Sequence, residues 1–271
     1  MKRLLILLLL VGFALCYLTT EVLAAGKEPL AMGEVLEFLQ SCRFVDLTHA
    51  FSPSIPNQDG LPPPKREEMY GGAIQVFTHV GQYGTHFDPP GHHHKGMRLV
   101  DDIPVNEFIL EGCVIDISKQ VAENPDYILQ LADVKKWEEK NGPFPANSFV
   151  LLQSGWSSRW SDAKAYFNKD QQGVKHYPGW GNEALEYLVK ERNVRAIGHE
   201  TADTDPGALC GVDKGWPLES WLLKQDCWQI ELMDIPADAN LPPRGFLVFV
   251  GVPKPEKGTG FPVRVFAIVP Q

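Results

Sequence analysis

Short apolar runs alternate with short helical patterns along the chain, and this alternation constrains the fold more than any other feature. The predicted strands cover residues 42–48, 73–80, 113–118, 148–154, 194–198, 227–233, 246–252 and 263–269. The predicted helices cover residues 33–41, 132–142, 181–193 and 218–225. Residues 50–72 are rich in Pro and Gly and predict a long loop. This order predicts an α/β fold, a single domain with a mixed β-sheet and flanking helices.

The length and charge of the chain narrow the classes of partner. The 271 residues are 44% hydrophobic, which is enough to bury a large core. The formal net charge is -9 at pH 7, and no long run of Lys or Arg is present. Because nucleic acid binding needs a basic face, the composition disfavours nucleic acid as a partner, and none is expected.

The N-terminal sequence predicts export. Met1, Lys2 and Arg3 form a positive start, residues 4–18 are almost entirely apolar, and residues 22–25 offer small residues for cleavage. This order predicts a signal peptide over residues 1–24 and an exported domain, periplasmic or secreted, over residues 25–271. An uncleaved membrane anchor is the alternative. The apolar run is short for a span, so no stable membrane span is expected after processing.

Four cysteines remain in the predicted exported domain, namely Cys42, Cys113, Cys210 and Cys227. In an oxidising compartment they could form two disulfides in three connectivities, and the pairing stays open. Cys113 and Cys227 lie in apolar strand patterns, which favours buried thiols at these two positions.

The stretch THVGQYGTHFDPPGHHHKG, residues 78–96, contains five of the eight histidines of the chain. His86 and Asp88 are two residues apart, so in an extended backbone both side chains point to the same side and can reach one ion. Gln82 could add an oxygen ligand, and the two prolines before Gly91 fix the direction of His92. The alternative is a hydrogen-bonded His–Asp pair with a structural role only.

The segment GTHFDPPGH, residues 84–92, resembles the signature of the cyclase family of metal-dependent hydrolases, which contains bacterial kynurenine formamidases and isatin hydrolases. The resemblance covers residues 43–270 in outline and implies the swivelling β/β/α fold of that family. It implies that His86 and Asp88 bind metal and that His92 donates and accepts protons. It also implies a metal-ligand role for Glu231 in the strand CWQIELM, where a buried carboxylate would otherwise be costly.

The chain departs from the family pattern at several positions. Gln82 stands where the family has its first metal-binding His, and His79 is a possible substitute from a shifted register. Residues 218–221 lack the His that serves a second metal in the family, so we expect one divalent ion, Zn or Mn. His199 and Glu200 follow a predicted strand, and we expect them to bind substrate, although a core role for His199 is an alternative.

The resemblance implies an amidohydrolase that cleaves a carbon–nitrogen amide bond with metal-activated water. The implied substrate is an aryl formamide such as N-formylkynurenine, from tryptophan catabolism, or a cyclic amide. No GxSxG motif offers a nucleophilic serine. A metal-dependent lactonase and a periplasmic binding module with a decayed metal site are the alternatives. The resemblance also implies a homo-oligomer.

Overall fold

The computed structural model describes residues 30–58 and 60–271. The described residues up to Ser41 and those from Cys42 onward belong to two separate compact units. The first contains helix α1, Met32–Ser41, which confirms the helix predicted over residues 33–41 and has no buried residue. The predicted signal peptide, residues 1–24, lies outside the described residues.

The unit from Cys42 to Gln271 is built on a large curled sheet. Its strands are β1 (Arg43–Asp46), β2 (Lys65–Met69), β3 (Ile74–Thr78), β4 (His86–Asp88), β5 (Ile109–Asp116), β6 (Ile128–Leu129), β7 (Phe149–Gln153), β8 (Gly179–Trp180), β9 (Ala196–His199), β10 (Trp228–Glu231), β11 (Arg244–Gly251), β12 (Phe261–Pro262) and β13 (Arg264–Val269). Nine of them form one sheet in the order β1-β13-β11-β5-β7-β9-β10-β4-β12. Strands β5, β7, β9 and β10 are parallel, and the outer strands pair antiparallel. The predicted α/β class with a mixed sheet is confirmed.

Helices accompany the parallel part of the sheet. They are α2 (Ser118–Glu123), α3 (Leu131–Asn141), α4 (Ala163–Phe167), α5 (Asn182–Arg192) and α6 (Pro217–Lys224). The three helices predicted over residues 132–142, 181–193 and 218–225 are confirmed within two residues at each end. Helices α2 and α4 were not predicted because their one to two turns are too short to show an apolar period.

The central strand β7 explains how the core is organised. Val150 and Leu152 pack in one buried cluster, and Phe149 and Leu151 pack in the other. Because successive side chains of a strand point to opposite faces, the sheet carries a core on each face. The apolar strand predicted over residues 148–154 is therefore buried on both faces.

One sequence prediction is wrong in part, and another is confirmed. Strand β2 lies inside the loop predicted over residues 50–72 and pairs with β3 in a hairpin. Its charged sequence KREEM has no apolar alternation, so no strand pattern was visible.

Cys113, Cys210 and Cys227 are buried free thiols. This confirms the prediction for Cys113 and Cys227, and no disulfide joins any two of these three residues.

Candidate metal centre and active site

The pairing of β4 with β10 brings three predicted ligands together. His86 lies directly opposite Glu231 in the antiparallel register, and Asp88 follows two residues later on the same face. The His86 Nε2 atom lies 3.1 Å from Asp88 Oδ2 and 3.5 Å from Glu231 Oε2. All three residues are buried. We call His86, Asp88 and Glu231 the inner group.

His86 is oriented toward the carboxylates by its own loop. Its Nδ1 lies 2.9 Å from the carbonyl oxygen of Gly84, which can only accept, so Nδ1 carries a proton and Nε2 has the free lone pair. Gly84 has φ 63°, a conformation that favours glycine, and its carbonyl oxygen lies within hydrogen-bonding distance of Nδ1. Among the described residues, Nε2 has no hydrogen-bond partner although it is buried.

The electrostatics of the inner group fit a divalent cation. Burial raises the pKa of Glu231 well above its usual range, and the nearby charges of Glu219 and Asp88 raise it further. Burial also acts on Asp88, but the positive charges that His86 and His92 carry when they are protonated outweigh it and hold the pKa of Asp88 below its usual range. An imidazole nitrogen with a free lone pair and two carboxylates, whose ligand atoms lie within 4.8 Å of one another, are a donor set that suits Zn²⁺ or Mn²⁺.

Hydrogen bonds from Gln229, which Thr204 orients in turn, fix the carboxylates of Glu231 and Asp88. The Gln229 amide nitrogen donates to Glu231 Oε1 at 2.9 Å and to Asp88 Oδ2 at 3.4 Å. The Thr204 hydroxyl donates to the Gln229 amide oxygen, which fixes the direction of that amide. Sequence reasoning missed Gln229, although its place two residues before Glu231 puts it on the same face of the strand.

His199 lies behind Glu231 and does not line the cavity described below. Its Nδ1 accepts a hydrogen bond from Trp180 Nε1 at 3.3 Å, so its Nε2 carries the proton and lies 3.3 Å from Glu231 Oε1. Burial lowers the pKa of His199 to about 3, so the ring is neutral at pH 7. The structure thus places His199 as a support for Glu231 where substrate binding was predicted.

Glu200 is also placed away from the cavity. Its carboxylate accepts hydrogen bonds from the backbone N–H of Ser154, Gly155 (2.7 Å) and Ser157 (3.2 Å), and from the Ser154 hydroxyl at 2.8 Å. The residue is fully buried. This carboxylate holds the turn after β7, which differs from the substrate-binding role predicted for it.

Gln82 faces the inner group with its nitrogen. The amide nitrogen lies 3.1 Å from the Thr259 carbonyl oxygen, 3.4 Å from Asp88 Oδ1 and 3.3 Å from His92 Nδ1. A carbonyl and a carboxylate can only accept, so the NH₂ group must lie on this side. The structure therefore gives Gln82 the place of a donor to Asp88, where an oxygen ligand was predicted.

The alternative residue His79 lies elsewhere. Its ring contacts the rings of Phe51 and Phe261 edge-on, each at 5.2 Å between centroids, and its Nδ1 lies 2.9 Å from the Val80 carbonyl oxygen. His79 belongs to neither candidate metal group of the described residues.

A second cluster forms where α6 meets the histidine run. The Glu219 Oε1 atom lies 3.6 Å from His92 Nε2 and 3.4 Å from His93 Nε2. The Asp205 carboxylate accepts from the backbone N–H of Leu218 (2.9 Å) and Glu219 (3.0 Å) and so fixes the first turn of α6.

We call His92, His93 and Glu219 the outer group. Its ligand atoms also lie within 4.8 Å of one another. Sequence reasoning noted that this helix has no His but overlooked that Glu219, in its first turn, could take the same place. The hydrogen bond to Glu219 raises the pKa of His93, and burial raises the pKa of Glu219.

Both groups open into one cavity of about 390 Å³. His86, Glu231, His92, His93 and Glu219 contribute to its polar wall. The rest of the wall is largely apolar and aromatic and includes Leu61, Val80, Tyr83, Phe167, Trp216 and Leu232. A cavity of this size with convergent polar groups at one end suits a small, planar, mostly apolar molecule.

No helix among residues 30–58 and 60–271 is long and apolar enough to cross a membrane.

Known proteins share this fold. A family model described as putative cyclase matches residues 45–206. The isatin hydrolase of Roseibium aggregatum is 33% identical over 192 residues, which cover 69% of this chain and 72% of that protein. The structure of isatin hydrolase A from Labrenzia aggregata, bound to benzyl benzoate, has a TM-score of 0.79 and 30% identity and covers 89% of this chain and 99% of that chain.

A more distant structure, a potential metal-dependent hydrolase with cyclase activity, has a TM-score of 0.65 and 17% identity. The match covers 85% of this chain and 99% of that chain and shows that the two folds are alike. The family match contains His86, Asp88 and His92 and spans more than half of the chain. The chain therefore belongs to the cyclase family.

Proposed function

We propose that this chain is a metal-dependent amidohydrolase that opens a cyclic amide or cleaves an aryl formamide at its C–N bond. The inner group carries the proposal, because an imidazole nitrogen without a hydrogen-bond partner among the described residues faces two buried carboxylates, beside a cavity that His86 and Glu231 line. Its relatives include an isatin hydrolase that is 33% identical.

His86, Asp88 and Glu231 would hold one divalent ion, Zn or Mn. Such an ion supplies Lewis-acid polarisation of a carbonyl oxygen and acidification of water. Gln82 and Gln229 donate to the two carboxylates and keep their remaining lone pairs directed at the ion site. Both glutamines act as positioning residues.

His92 is placed to move a proton to the leaving nitrogen. Its side chain is 25% exposed and faces the cavity. Since the Gln82 NH₂ group faces His92 Nδ1, that nitrogen accepts, and the proton of the neutral ring sits on Nε2. Nε2 lies 3.6 Å from Glu219 Oε1. An imidazole of this kind can deliver its Nε2 proton to an amine that leaves from the cavity.

The proposal is tested with purified protein, isatin and N-formylkynurenine. We expect hydrolysis of at least one of them, loss of the activity after chelation, and recovery on addition of Mn²⁺ or Zn²⁺. If N-formylkynurenine is the better substrate, the reaction belongs to tryptophan catabolism. Failure to hydrolyse either compound with the metal site loaded would reject the proposal and favour a binding module.

A matched pair of substrates separates the amidohydrolase from a lactonase. A benzo-fused lactam and the lactone of the same ring size differ only in the leaving atom. The imidazole proton of His92 favours the amide, because an amine leaves only after protonation, whereas an alkoxide needs less help. We expect His92→Ala to lower kcat for the lactam more than for the lactone, and the reverse order would favour the lactonase.

Export is proposed from residues 1–24. Mass spectrometry of the protein isolated from its own cells should give a chain that begins near Ala25. A chain that still begins at Met1 in the cytoplasm would reject it.

A homo-oligomer is proposed from the hairpin of β2 and β3. All ten strand residues are exposed, and Met69, Ile74 and Val76 share one face of the hairpin. A two-stranded sheet is marginally stable alone, so a second copy that covers this face would stabilise it. Light scattering should give a dimer or larger assembly for the wild type and a smaller species for Ile74→Asn/Val76→Asn. Equal masses would reject the hairpin as the interface.

A further inference from the structure

Asp203 is a buried carboxylate that the proposed chemistry does not use. It follows β9 and lines the cavity of about 390 Å³, which we call the reaction cavity. Only 2% of the residue is exposed. Because a buried carboxylate is costly unless donors surround it, its hydrogen-bond partners indicate what the residue does. Its two oxygen atoms bind different parts of the protein.

The Oδ2 atom anchors Asp203 away from the reaction cavity. It accepts a hydrogen bond from the Tyr177 hydroxyl and lies 3.1 Å from Lys175 Nζ. The Cys210 thiol also donates to it, at 3.5 Å. Tyr177, Lys175 and Cys210 do not line the reaction cavity. These contacts therefore fix the position of the carboxylate from outside the cavity.

The Oδ1 atom holds two residues of the cavity wall. It accepts a hydrogen bond from Trp216 Nε1 at 2.6 Å and a longer one from Gln58 Nε2 at 3.4 Å. Trp216 and Gln58 both line the reaction cavity. The indole N–H is the only polar group of the Trp216 side chain, so this bond sets where the ring lies. Asp203 thus connects a fixed anchor to an aromatic side chain in the wall.

The backbone of Trp216 is held independently of its side chain. Trp216 precedes α6, and its carbonyl oxygen accepts from the backbone N–H of Ser220 at 2.9 Å. The Asp205 carboxylate fixes the first turn of the same helix. Asp205 therefore holds the helix that carries Glu219, whereas Asp203 holds the Trp216 ring. Substitution of Asp203 should release the ring and leave the helix in place.

The Trp216 ring lies beside the histidines of the outer group. Its centroid is 6.4 Å from that of His93, with 70° between the ring planes, and the His93 ring is 4.8 Å from the His92 ring. Aromatic rings attract one another at centroid distances of about 4.5 to 7 Å. The apolar residues Leu61 and Val80 line the same cavity. A planar ring attached to an amide at His92 can therefore lie against the indole.

We propose that Asp203 is a positioning residue that sets the preference of the reaction cavity for an aromatic substrate, because it holds the Trp216 ring in the wall. Asp203 acts through Trp216 and touches no reacting atom. The substrate class is an amide that carries a fused or attached benzene ring. This inference rests on the proposed function for the bond that is cleaved, but the preference for an aromatic ring is measured as binding and needs no catalysis.

The test compares phthalimide with succinimide, which have the same five-membered imide ring and differ in one fused benzene ring. Calorimetric titration into the purified protein gives both dissociation constants, and their ratio is the aromatic preference. Every protein in the test carries His92→Ala, so that hydrolysis does not disturb the titration. We expect Trp216→Leu and Asp203→Ala each to lower the aromatic preference by about 2- to 10-fold, the scale on which aromatic contacts contribute.

A double variant separates positioning from a general structural role. If Asp203 acts through Trp216, Asp203→Ala should lower the preference no further in a protein that already carries Trp216→Leu. Tyr177→Phe is the matched control, because it removes a donor to Oδ2 and leaves the bond from Trp216 to Oδ1. We expect this control to keep the aromatic preference.

Trp216→Phe takes the place of Asp203→Ala if that variant does not fold. Phenylalanine keeps an aromatic ring but lacks the Nε1–H donor, so the preference should fall here too. A parent protein that binds neither imide, or binds both equally, would overturn the inference. So would a preference that survives Asp203→Ala or its substitute, that falls equally with and without Trp216, or that falls as much in Tyr177→Phe.

The outcome can be told apart from that of the proposed function. An aromatic preference that depends on Asp203 and Trp216 supports the inference even if the protein with His92 intact hydrolyses no amide. Hydrolysis without such a preference supports the proposed function and rejects the inference. In an active enzyme, Asp203→Ala should raise KM for isatin more than it lowers kcat, because the ring loses its binding surface while the reacting groups stay in place.

Discussion

Glu200 and Glu231 are both buried glutamates near the ends of neighbouring strands, yet their carboxylates are satisfied in opposite ways. Glu200 receives three backbone N–H groups and one hydroxyl. Glu231 receives one amide, from Gln229, on an oxygen that also lies 3.3 Å from His199 Nε2, and its other oxygen faces the unpartnered His86 Nε2. The comparison teaches that a buried carboxylate with a full set of protein donors stabilises a turn, whereas one that faces other acids and an unpartnered imidazole nitrogen has the surroundings that suit a cation.

The largest expected effect concerns His92, the proposed proton donor and acceptor. We expect His92→Ala to lower kcat by about 100- to 10,000-fold, because it removes a general acid and base. Steady-state kinetics on the best amide substrate measures this loss. His94→Ala is the matched control from the same run of histidines. The His94 Nε2 atom lies 2.6 Å from the Ser220 carbonyl oxygen, and His94 does not line the cavity of about 390 Å³. Loss of bound metal in His92→Ala would contradict the catalytic role and make His92 a ligand.

The two glutamates themselves give the second prediction. Glu200→Gln leaves buried donors unsatisfied and should lower the free energy of unfolding by about 3 kcal/mol while metal affinity is retained. Glu231→Gln should lower metal affinity and leave the metal-free protein as stable as the wild type or more stable, because it removes repulsion from Asp88 and Glu219. Urea unfolding and metal titration measure both quantities. If the two variants behave alike, the distinction between the two carboxylates fails.

A substitution at Gln229 tests whether its hydrogen bonds to Glu231 and Asp88 raise the metal affinity of the inner group. We expect Gln229→Ala to weaken metal binding by about 10- to 100-fold, because partners that orient metal ligands contribute on this scale. Gln225→Ala is the control, since the Gln225 amide donates to the Trp221 carbonyl oxygen on the surface of α6. Equal affinities in the two variants would show that Glu231 and Asp88 need no such support.

His49 sharpens the comparison because it is a buried imidazole whose Nε2, like those of His86 and His199, has no hydrogen-bond partner among the described residues. It has one acidic neighbour, Asp234, whose Oδ2 lies 3.5 Å from its Nδ1, and its ring stacks on Trp160 at 4.0 Å. Burial lowers its pKa to about 4. The inner group has two carboxylates, whereas His49 has one acidic neighbour. We therefore expect the protonation of His49 to change the stability of the fold with pH, and His86 to contribute to metal affinity.

The sign of the pH effect follows from the lowered pKa of His49. The fold favours the neutral ring, so its contribution is present in full above the unfolded pKa of about 6.5 and is lost as the pH falls toward about 4. We expect the free energy of unfolding to fall by about 2 to 3 kcal/mol more in the wild type than in His49→Phe between pH 7 and pH 4. Urea unfolding at several pH values measures this difference, and parallel pH profiles would refute it.

The sequence predicted the elements that have a clear period and the ligands that lie close in the chain. His86 and Asp88 share one strand face, so their spacing alone predicted that they meet. Glu231 stood out as a carboxylate in an apolar strand, and the register of β4 with β10 now gives it a partner.

What could not be predicted depends on long-range contacts. The direction of the Gln82 amide is set by the Thr259 carbonyl oxygen, which is far along the chain. The support that His199 gives to Glu231 depends on Trp180, and the place of Glu219 depends on the cap from Asp205. Glu200 was assigned to the substrate because a residue after a strand often lies in a site, and only the turn of residues 154–157 shows its structural partners.

The most direct test of the account is the metal content of the purified protein, measured by mass spectrometry of the elements for the wild type, His86→Ala/Asp88→Ala and Glu200→Gln. The account predicts about one Zn or Mn ion per chain in the wild type, the same in Glu200→Gln, and none in the double variant. A wild type that stays free of metal after incubation with Mn²⁺ and Zn²⁺, or a double variant that binds as much metal as the wild type, would contradict it.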